Sequence, residues 1–413
     1  MFREARQTVS WRGFWQTVRQ MKLTIHGHRW REALLLATGL ALAVITGCQT
    51  GDIAEGVTAP SANATAKATG PQPKSETIGA GDPLIGYLSY LPDNQATSQA
   101  ERDRRAGAAM AIRDLAGGEF SMQVAQVGDK PGEVEATTRR LGSSGIKLLI
   151  TSAPSSSLPD IQRALAGRDA RIILLADNGD VPQKSGAYPF SSNAVDGIVE
   201  AVSFAMAEGA AKGAILAPPG YPKGEMDRAK REIAAFGGSI SATISVDAAG
   251  LNSRQTESLK AYDLVVLFPG IKNAPQIVRS IQDGRSASSR AMLVIAETTP
   301  TDARRTPELA GALVCRFGYN IQNRIGDRYL RETGFPVSLD AAYAYDATAM
   351  ALGIARRYGR EGLDDAHLTN PSGFRGAAGV FRLHSDGTVR RNCDMFRVSN
   401  GQFVFFQPAP TTF

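Results

Sequence analysis

Beginning at Leu84, short apolar runs alternate with longer segments of helical composition, and that alternation restricts the chain to very few architectures. "LIGYLSYL", "FSMQVAQVG", "KLLITS" and "RIILLAD" have the length and composition of strands. Between them lie helical segments such as "SQAERDRRAGAAMAIRDLAGG" and "EVEATTRRLGSSG", each closing on glycines that suit a helix C-terminus. The alternation restarts with "KGAILAPP", "GSISATISV", "DLVVLFPG", "AMLVIAE" and "ALVCRF". Strand-helix alternation at this spacing implies right-handed crossovers and parallel sheets covered on both faces. Two such series exceed what one core holds, so the fold class expected is α/β with two lobes, each a parallel sheet flanked by helices. The end of the chain differs. "SLDAAYAYDATAMALGIARRYG" reads as a long alanine-rich helix, and Asp386-Gly387 and Asn400-Gly401 then mark C-terminal antiparallel hairpins.

The residues ahead of this body have another character. The apolar run from Ala33 to Thr46, broken only by Thr38 and Gly39, is shorter than the roughly 20 residues a bilayer-spanning helix needs. Basic residues Lys22, Arg29 and Arg31 precede it, as in a secretory leader. Its end, Ile45-Thr46-Gly47-Cys48, resembles the bacterial lipobox, in which the cysteine is diacylated and becomes the first mature residue. Residues 1–47 are therefore expected to be a lipoprotein signal peptide, with Cys48 lipidated, and Met21 makes a more ordinary start than Met1. Residues 48–80, rich in Ala, Thr, Gly and Pro, have too few large apolar side chains to pack and read as a flexible tether.

Removing the leader changes what composition says. Residues 1–47 carry five of the six net positive charges and all three tryptophans, so the basic pI is no nucleic-acid footprint. Without tryptophan the mature chain also lacks an indole platform for sugars. Cys315 and Cys393 are the cysteines left after Cys48. An oxidising envelope permits a disulfide between them, and two buried free thiols are the other reading. No CxxC or HxxxH spacing exists to hold a metal, and no cofactor is expected.

Several stretches, in order, resemble the type I periplasmic binding fold and in particular its leucine/isoleucine/valine-binding group. They are "LIGYLSYL" with the small-residue helix "RRAGAAMAIRDL", the serine loop "ITSAPSSSLPD", "AYPFSSNAVD", and "KGAILAPPGYPKGEMDRAKREIAAFGGSI". "YAYDATAMAL" and "FRGAAGVFRLHSDGTVRR" complete the set, so the likeness covers residues 84–406. It implies two lobes joined by three crossings, with ligand between them: 81–190 plus 318–358, and 191–317 plus 359–413. In open α/β sheets ligands sit beyond the carboxyl ends of the strands, which agrees.

The same resemblance nominates residues. Ser155, Ser156 and Ser157 follow "KLLITS" and would hold a ligand carboxylate with hydroxyls and helix-start amides; simple capping would use only one of them. Glu297 in "AMLVIAETTPTD" would meet an ammonium from the other lobe, although Thr298 stands where the family has glycine. Asp177 and Asn178 depart from the family's small hydroxyl residues, and read either as a site for a cation or amine or as an Asx-type turn. Tyr90, Tyr221 and Tyr319 lie near strand ends, as cleft lining or hinge packing.

No catalytic constellation survives inspection. Ser144 and Lys147 fit Ser-x-x-Lys but sit in a glycine-rich link with no Lys-Thr-Gly after it. P-loop, GxGxxG and HExxH are absent, and His367 and His384, the only histidines past the leader, both lie near the C-terminal hairpins. The expected function is thus non-catalytic: a lipid-anchored periplasmic receptor that passes an amino-acid-like ligand to an ABC permease. The alternative rests on "LLADNGDVPQKSGAYPFSS" and "AILAPPGYPKGEMDRAKREIAAFGG", which look equally like lipoproteins that activate penicillin-binding peptidoglycan synthases. Gln49, in place of the aspartate that retains lipoproteins on the inner membrane, favours the outer membrane.

Overall fold

The computed structural model describes residues 74–92, 98–176, 181, 185–283, 285–286 and 289–413. The leader, Cys48, the tether up to residue 73, Asp177 and Asn178 lie outside the described residues.

The first sheet is built from β1 (Ser75–Gly79), β2 (Asp82–Tyr90), β3 (Phe120–Val127), β4 (Leu148–Thr151), β5 (Arg171–Leu174) and β6 (Ala187–Pro189). Their spatial order is β1-β3-β2-β4-β5-β6, with only β1 antiparallel to its neighbour. β2 is central, and its unbroken burial from Leu84 to Ser89 is the signature of a parallel strand covered on both faces. On one face its residues join α1 (Gln99–Leu115); on the other lie α2 (Glu133–Ser143) and α3 (Leu158–Leu165), through Leu141, Leu149, Leu158 and Ile161. β1 falls inside the segment expected to be tether. Ile78 packs on the first core and Glu76 meets the buried guanidinium of Arg105, so five residues of weak strand composition become the sheet's edge.

The chain then crosses to a second sheet. It adds α4 (Ala194–Ala207), β7 (Gly213–Ala217), α5 (Lys223–Ala235), β8 (Ile240–Ser245), α6 (Ser253–Leu259) and β9 (Leu264–Leu267). α7 (Ala274–Gln282), β10 (Met292–Ile295), α8 (Thr301–Arg304) and β11 (Leu313–Arg316) follow. Returning to the first core, it forms α9 (Asp327–Thr333), α10 (Leu339–Tyr358), α11 (Asp365–Leu368) and a small antiparallel sheet. That sheet comprises β12 (Phe374–Gly376), β13 (Gly379–Leu383) and β14 (Val389–Arg391). A last crossing leads to β15 (Asp394–Ser399) and β16 (Gln402–Gln407), which extend the second sheet in the order β16-β15-β11-β10-β9-β7-β8.

Both hairpins expected at the C-terminus form. Asn400 and Gly401 take φ of 49° and 78° between β15 and β16, the left-handed pair that a two-residue hairpin turn requires. The alanine-rich segment is α10, and it lies so close to α1 that a Cβ on Gly107 would collide with the backbone of Ala341. Small residues on both helices make that approach possible. One packing feature differs from the expected division, which gave 359–413 to the second lobe. Leu363, Leu368, Phe381 and Leu383 are buried in the first core with Leu84 and Tyr343, because the three-stranded sheet lies against α10.

Cys315 on β11 and Cys393, just before β15, are joined as a disulfide with their Cα atoms 5.7 Å apart. The adjacent antiparallel strands bring together cysteines separated by 78 residues, so the bond ties the second crossing to the third.

Candidate functional site

At the carboxyl edge of the first sheet, β4 runs into a 3-10 turn formed by Ser155, Ser156 and Ser157, and α3 starts at once behind it. The turn is positioned by Thr151, whose hydroxyl donates to the Leu88 carbonyl at 2.9 Å and accepts from the Ala153 amide at 3.0 Å. Ser152 accepts the Tyr90 amide at 2.8 Å, joining the end of β2 to this loop. Ser157 occupies the N-cap of α3 yet makes no side-chain cap bond, and Ser156 is exposed. The capping role that a serine commonly takes is therefore unfilled at Ser157, while Tyr90 and the serine loop are brought to one end of one sheet.

Sequence reading missed a residue beneath them. Glu101, in the first turn of α1, is buried with its Oε1 accepting from Ser89 at 2.5 Å and from the Tyr87 hydroxyl at 3.3 Å. Its Oε2 is also buried. Desolvation raises its pKa against the lowering effect of the Ser152 and Ser89 hydroxyls. In sequence Glu101 is one more acid at a helix start, where the dipole alone accounts for it; nothing local signals that it folds inward.

In the second sheet, Glu297 follows β10 and accepts from Arg316 Nε at 2.6 Å. Both side chains stay more than a third exposed. The carboxylate singled out for a ligand's ammonium therefore already has a cation within its own lobe. Arg316 also lies 5.2 Å from the Phe396 ring centre and 5.4 Å from that of Phe403, while Arg304 lies 4.1 Å over Phe403. Desolvation and the neighbouring Arg316 lower the Arg304 pKa. Arg316 ends β11, the parallel neighbour of β10, and parallel neighbours bring their carboxyl ends together, an adjacency that no short window of sequence contains.

The tyrosines divide. Tyr221 packs edge-to-face on Phe268 and donates its hydroxyl to Glu225 at 2.8 Å; burial and that acceptor raise its pKa. Tyr319, in the second crossing, stacks on Phe405 and meets Phe396 edge-on. It also borders a groove of about 930 Å³ along α10. Ser144 donates to the Leu141 carbonyl at 2.6 Å and Lys147 pairs with Glu361 at 2.5 Å, so each member of the Ser-x-x-Lys match is engaged elsewhere.

This architecture has relatives among solved structures. One, from Rhodospirillum rubrum and assigned to a branched-chain amino acid ABC transporter, superposes with a TM-score of 0.59 at 14% identity, covering 79% of this chain and 100% of that one. Another, a branched-chain amino acid ABC transporter periplasmic ligand-binding protein from Burkholderia xenovorans, gives 0.54 at 14% identity, covering 79% and 96%. The chain has the type I periplasmic binding fold. At this identity the likeness speaks for the fold alone. No family model matches the sequence, and no curated protein matches it either. In a type I fold the serine loop and Glu297 both occupy carboxyl ends of parallel strands, one in each lobe.

Proposed function

We propose that this protein is a non-catalytic, lipid-anchored receptor of the bacterial periplasm that binds an amino-acid-like solute and passes it to an ABC permease. The observation that carries this reading is the serine turn of residues 155–157, set between a buried parallel strand and a helix start whose N-cap side chain caps nothing. Hydroxyls and amides there would hold a carboxylate. Glu297, once turned from Arg316, would take the ammonium, and Tyr90 would close the side of the site. Binding would draw the two lobes together, since contacts made only in the closed form favour it. Cys48 would carry the lipid, with Gln49 favouring the outer membrane. Among the described residues no helix is long and apolar enough to cross a membrane.

One observation favours the second reading, an activator of a peptidoglycan synthase. Glu297 is matched by Arg316 and the Tyr221 hydroxyl by Glu225, so these two candidate groups of the second lobe have partners without a ligand.

Thermal unfolding followed by circular dichroism separates the two. Protein refolded once to strip carried solute would be melted with amino acids, short peptides and muropeptides. A ligand at 100 times its dissociation constant adds about 2.7 kcal/mol. Stabilisation by one amino acid that Glu297→Gln and Ser155→Ala abolish supports the receptor. If no solute moves the transition while a peptidoglycan synthase is bound and stimulated, the activator reading replaces it.

A further inference from the structure

Along α10 runs the groove of about 930 Å³, whose lining includes neither the serine loop nor Glu297. α10 supplies its floor through Ala349 and Gly353; the second crossing, β12 and the C-terminal residues 408–411 supply its walls. The walls are held in place. Asn392 donates to the carbonyls of Pro410 and Thr412 at 2.9 and 3.2 Å, and Asp394 accepts the Ala409 amide at 2.9 Å. Arg324 donates to the Gly376 and Ala377 carbonyls at 2.6 and 3.2 Å, joining the crossing to β12. The volume lies in the range of small-molecule sites.

Two independent features of this groove point outward from the protein. The first is charge. Arg324, Arg357 and Arg375 all border it and are exposed, and none forms an ion pair among the described residues. The bordering carboxylates are committed elsewhere: Asp346 to Arg391 and two amides, Asp394 to Ala409. With Arg324, Arg357 and Arg375 against the single carboxylate Asp394 not paired to a cation, the groove carries a net guanidinium charge beside the rings of Tyr358, Tyr319 and Phe374. The second is Gly353. It lies inside a 20-residue helix, is exposed, and a Cβ there would meet nothing within 4 Å. Glycine is among the poorest helix formers, and no neighbour in the fold requires it. With Ala349 one turn earlier it leaves a bare strip of helix backbone, open to a body approaching from outside.

We propose that this groove is a second binding site, distinct from the strand-end loops, for an organic anion with a flat apolar body: a carboxylate, phosphate or sulfonate head on the arginines, and rings laid over Gly353. Guanidinium forks suit such heads through paired charge-assisted hydrogen bonds. The proposal does not rest on the receptor reading.

The probe is 8-anilinonaphthalene-1-sulfonate, titrated into the full chain and followed by fluorescence, with N-phenyl-1-naphthylamine as its uncharged counterpart. The expected result is saturable binding of one sulfonate per chain, weakened at least tenfold by Arg357→Glu with Arg375→Glu and weakened by added salt. The neutral probe should lose less than threefold in the same variant. Gly353→Leu, whose side chain enters open space, should exclude both probes, and circular dichroism melts would verify that each variant is folded. Ser155→Ala with Glu297→Gln should leave binding unchanged. The proposal is overturned if sulfonate binding survives the arginine and glycine variants, if it is lost in the Ser155 and Glu297 variant, or if the native chain shows no saturable binding.

Discussion

Asp346 with Arg391 and Glu297 with Arg316 are two carboxylate–guanidinium pairs set in opposite surroundings. The first is sealed, with side chains 0% and 1% exposed, where α10, β12 and the end of β14 meet. Arg391 lies within about 5 Å of the ring centres of Phe190, Tyr343 and Phe381, and Asp346 also accepts the amides of Ala377 and Ala378. The second pair stands at a strand end with 40% and 35% of its side chains in water. Burial makes the first pair structural, since neither charge has anywhere to go once its partner is removed. Exposure leaves the second free to exchange partners at small expense, as the ligand role proposed for Glu297 requires. The disulfide lies between them, Cys315 beside Arg316 and Cys393 two residues past Arg391.

The contrast breaks most directly at Arg391. Arg391→Met strands Asp346 in the core and should remove about 3–5 kcal/mol, read as a shift of the urea midpoint at constant slope. Asp346→Leu added to it should recover part of that loss; strict additivity would mean that the pair is not coupled. Next in size is the disulfide, whose replacement by Cys315→Ser with Cys393→Ser should remove about 2–4 kcal/mol. If thiol titration of the denatured native protein finds Cys315 and Cys393 free, the crossings are not tied covalently.

A smaller loss, about 1–3 kcal/mol, is expected for Gly376→Ala, whose Cβ would press into the Asp346 carboxylate. Gly353→Ala, over open groove, should instead gain about 0.5–1 kcal/mol. Parallel melts of these two variants measure how far the sealed site and the groove differ in packing.

His384, at the end of β13, answers burial differently from Arg391. Desolvation, with Arg382 and Arg390 nearby and only Asp386 opposing, moves its pKa from 6.5 down to about 4. The unfolded chain thus takes the proton first. The stability this neutral histidine permits is complete above pH 6.5 and declines as pH falls toward 4. His384→Asn should flatten that part of the stability–pH curve; an unchanged slope would place the titration elsewhere. Smallest of all should be Glu297→Gln, under about 1 kcal/mol in the absence of ligand. A loss comparable with that of Arg391→Met would show the exposed pair to be a structural element after all.

Local periodicity made the architecture readable. Parallel strands buried on both faces are written as continuous apolar runs, helices as their own repeat, and the Asn400-Gly401 turn as two residues that accept positive φ. The alanines of α10 suited close packing on a sheet; the close approach they allow is to α1, at Gly107 and Ala341. β1 was not readable, because "SETIG" is a strand only through β3 beside it and Arg105 behind it. Neither was the inward turn of Glu101, nor the bond of Glu297 to Arg316, since adjacency of strand ends is a property of the sheet.

By itself, then, the sequence determined the layers, the order of the elements, the hairpins and the serine turn between β4 and α3, all of which depend on residues close in the chain. Only the tertiary structure decided that Cys315 meets Cys393, that residues 363–383 join the first core, and that three arginines border a groove over a bare helix. Those outcomes join segments as far apart as residues 318–325, 345–358, 374–376 and 408–411. The free energy that selects them is the burial of surfaces that no short window of sequence contains.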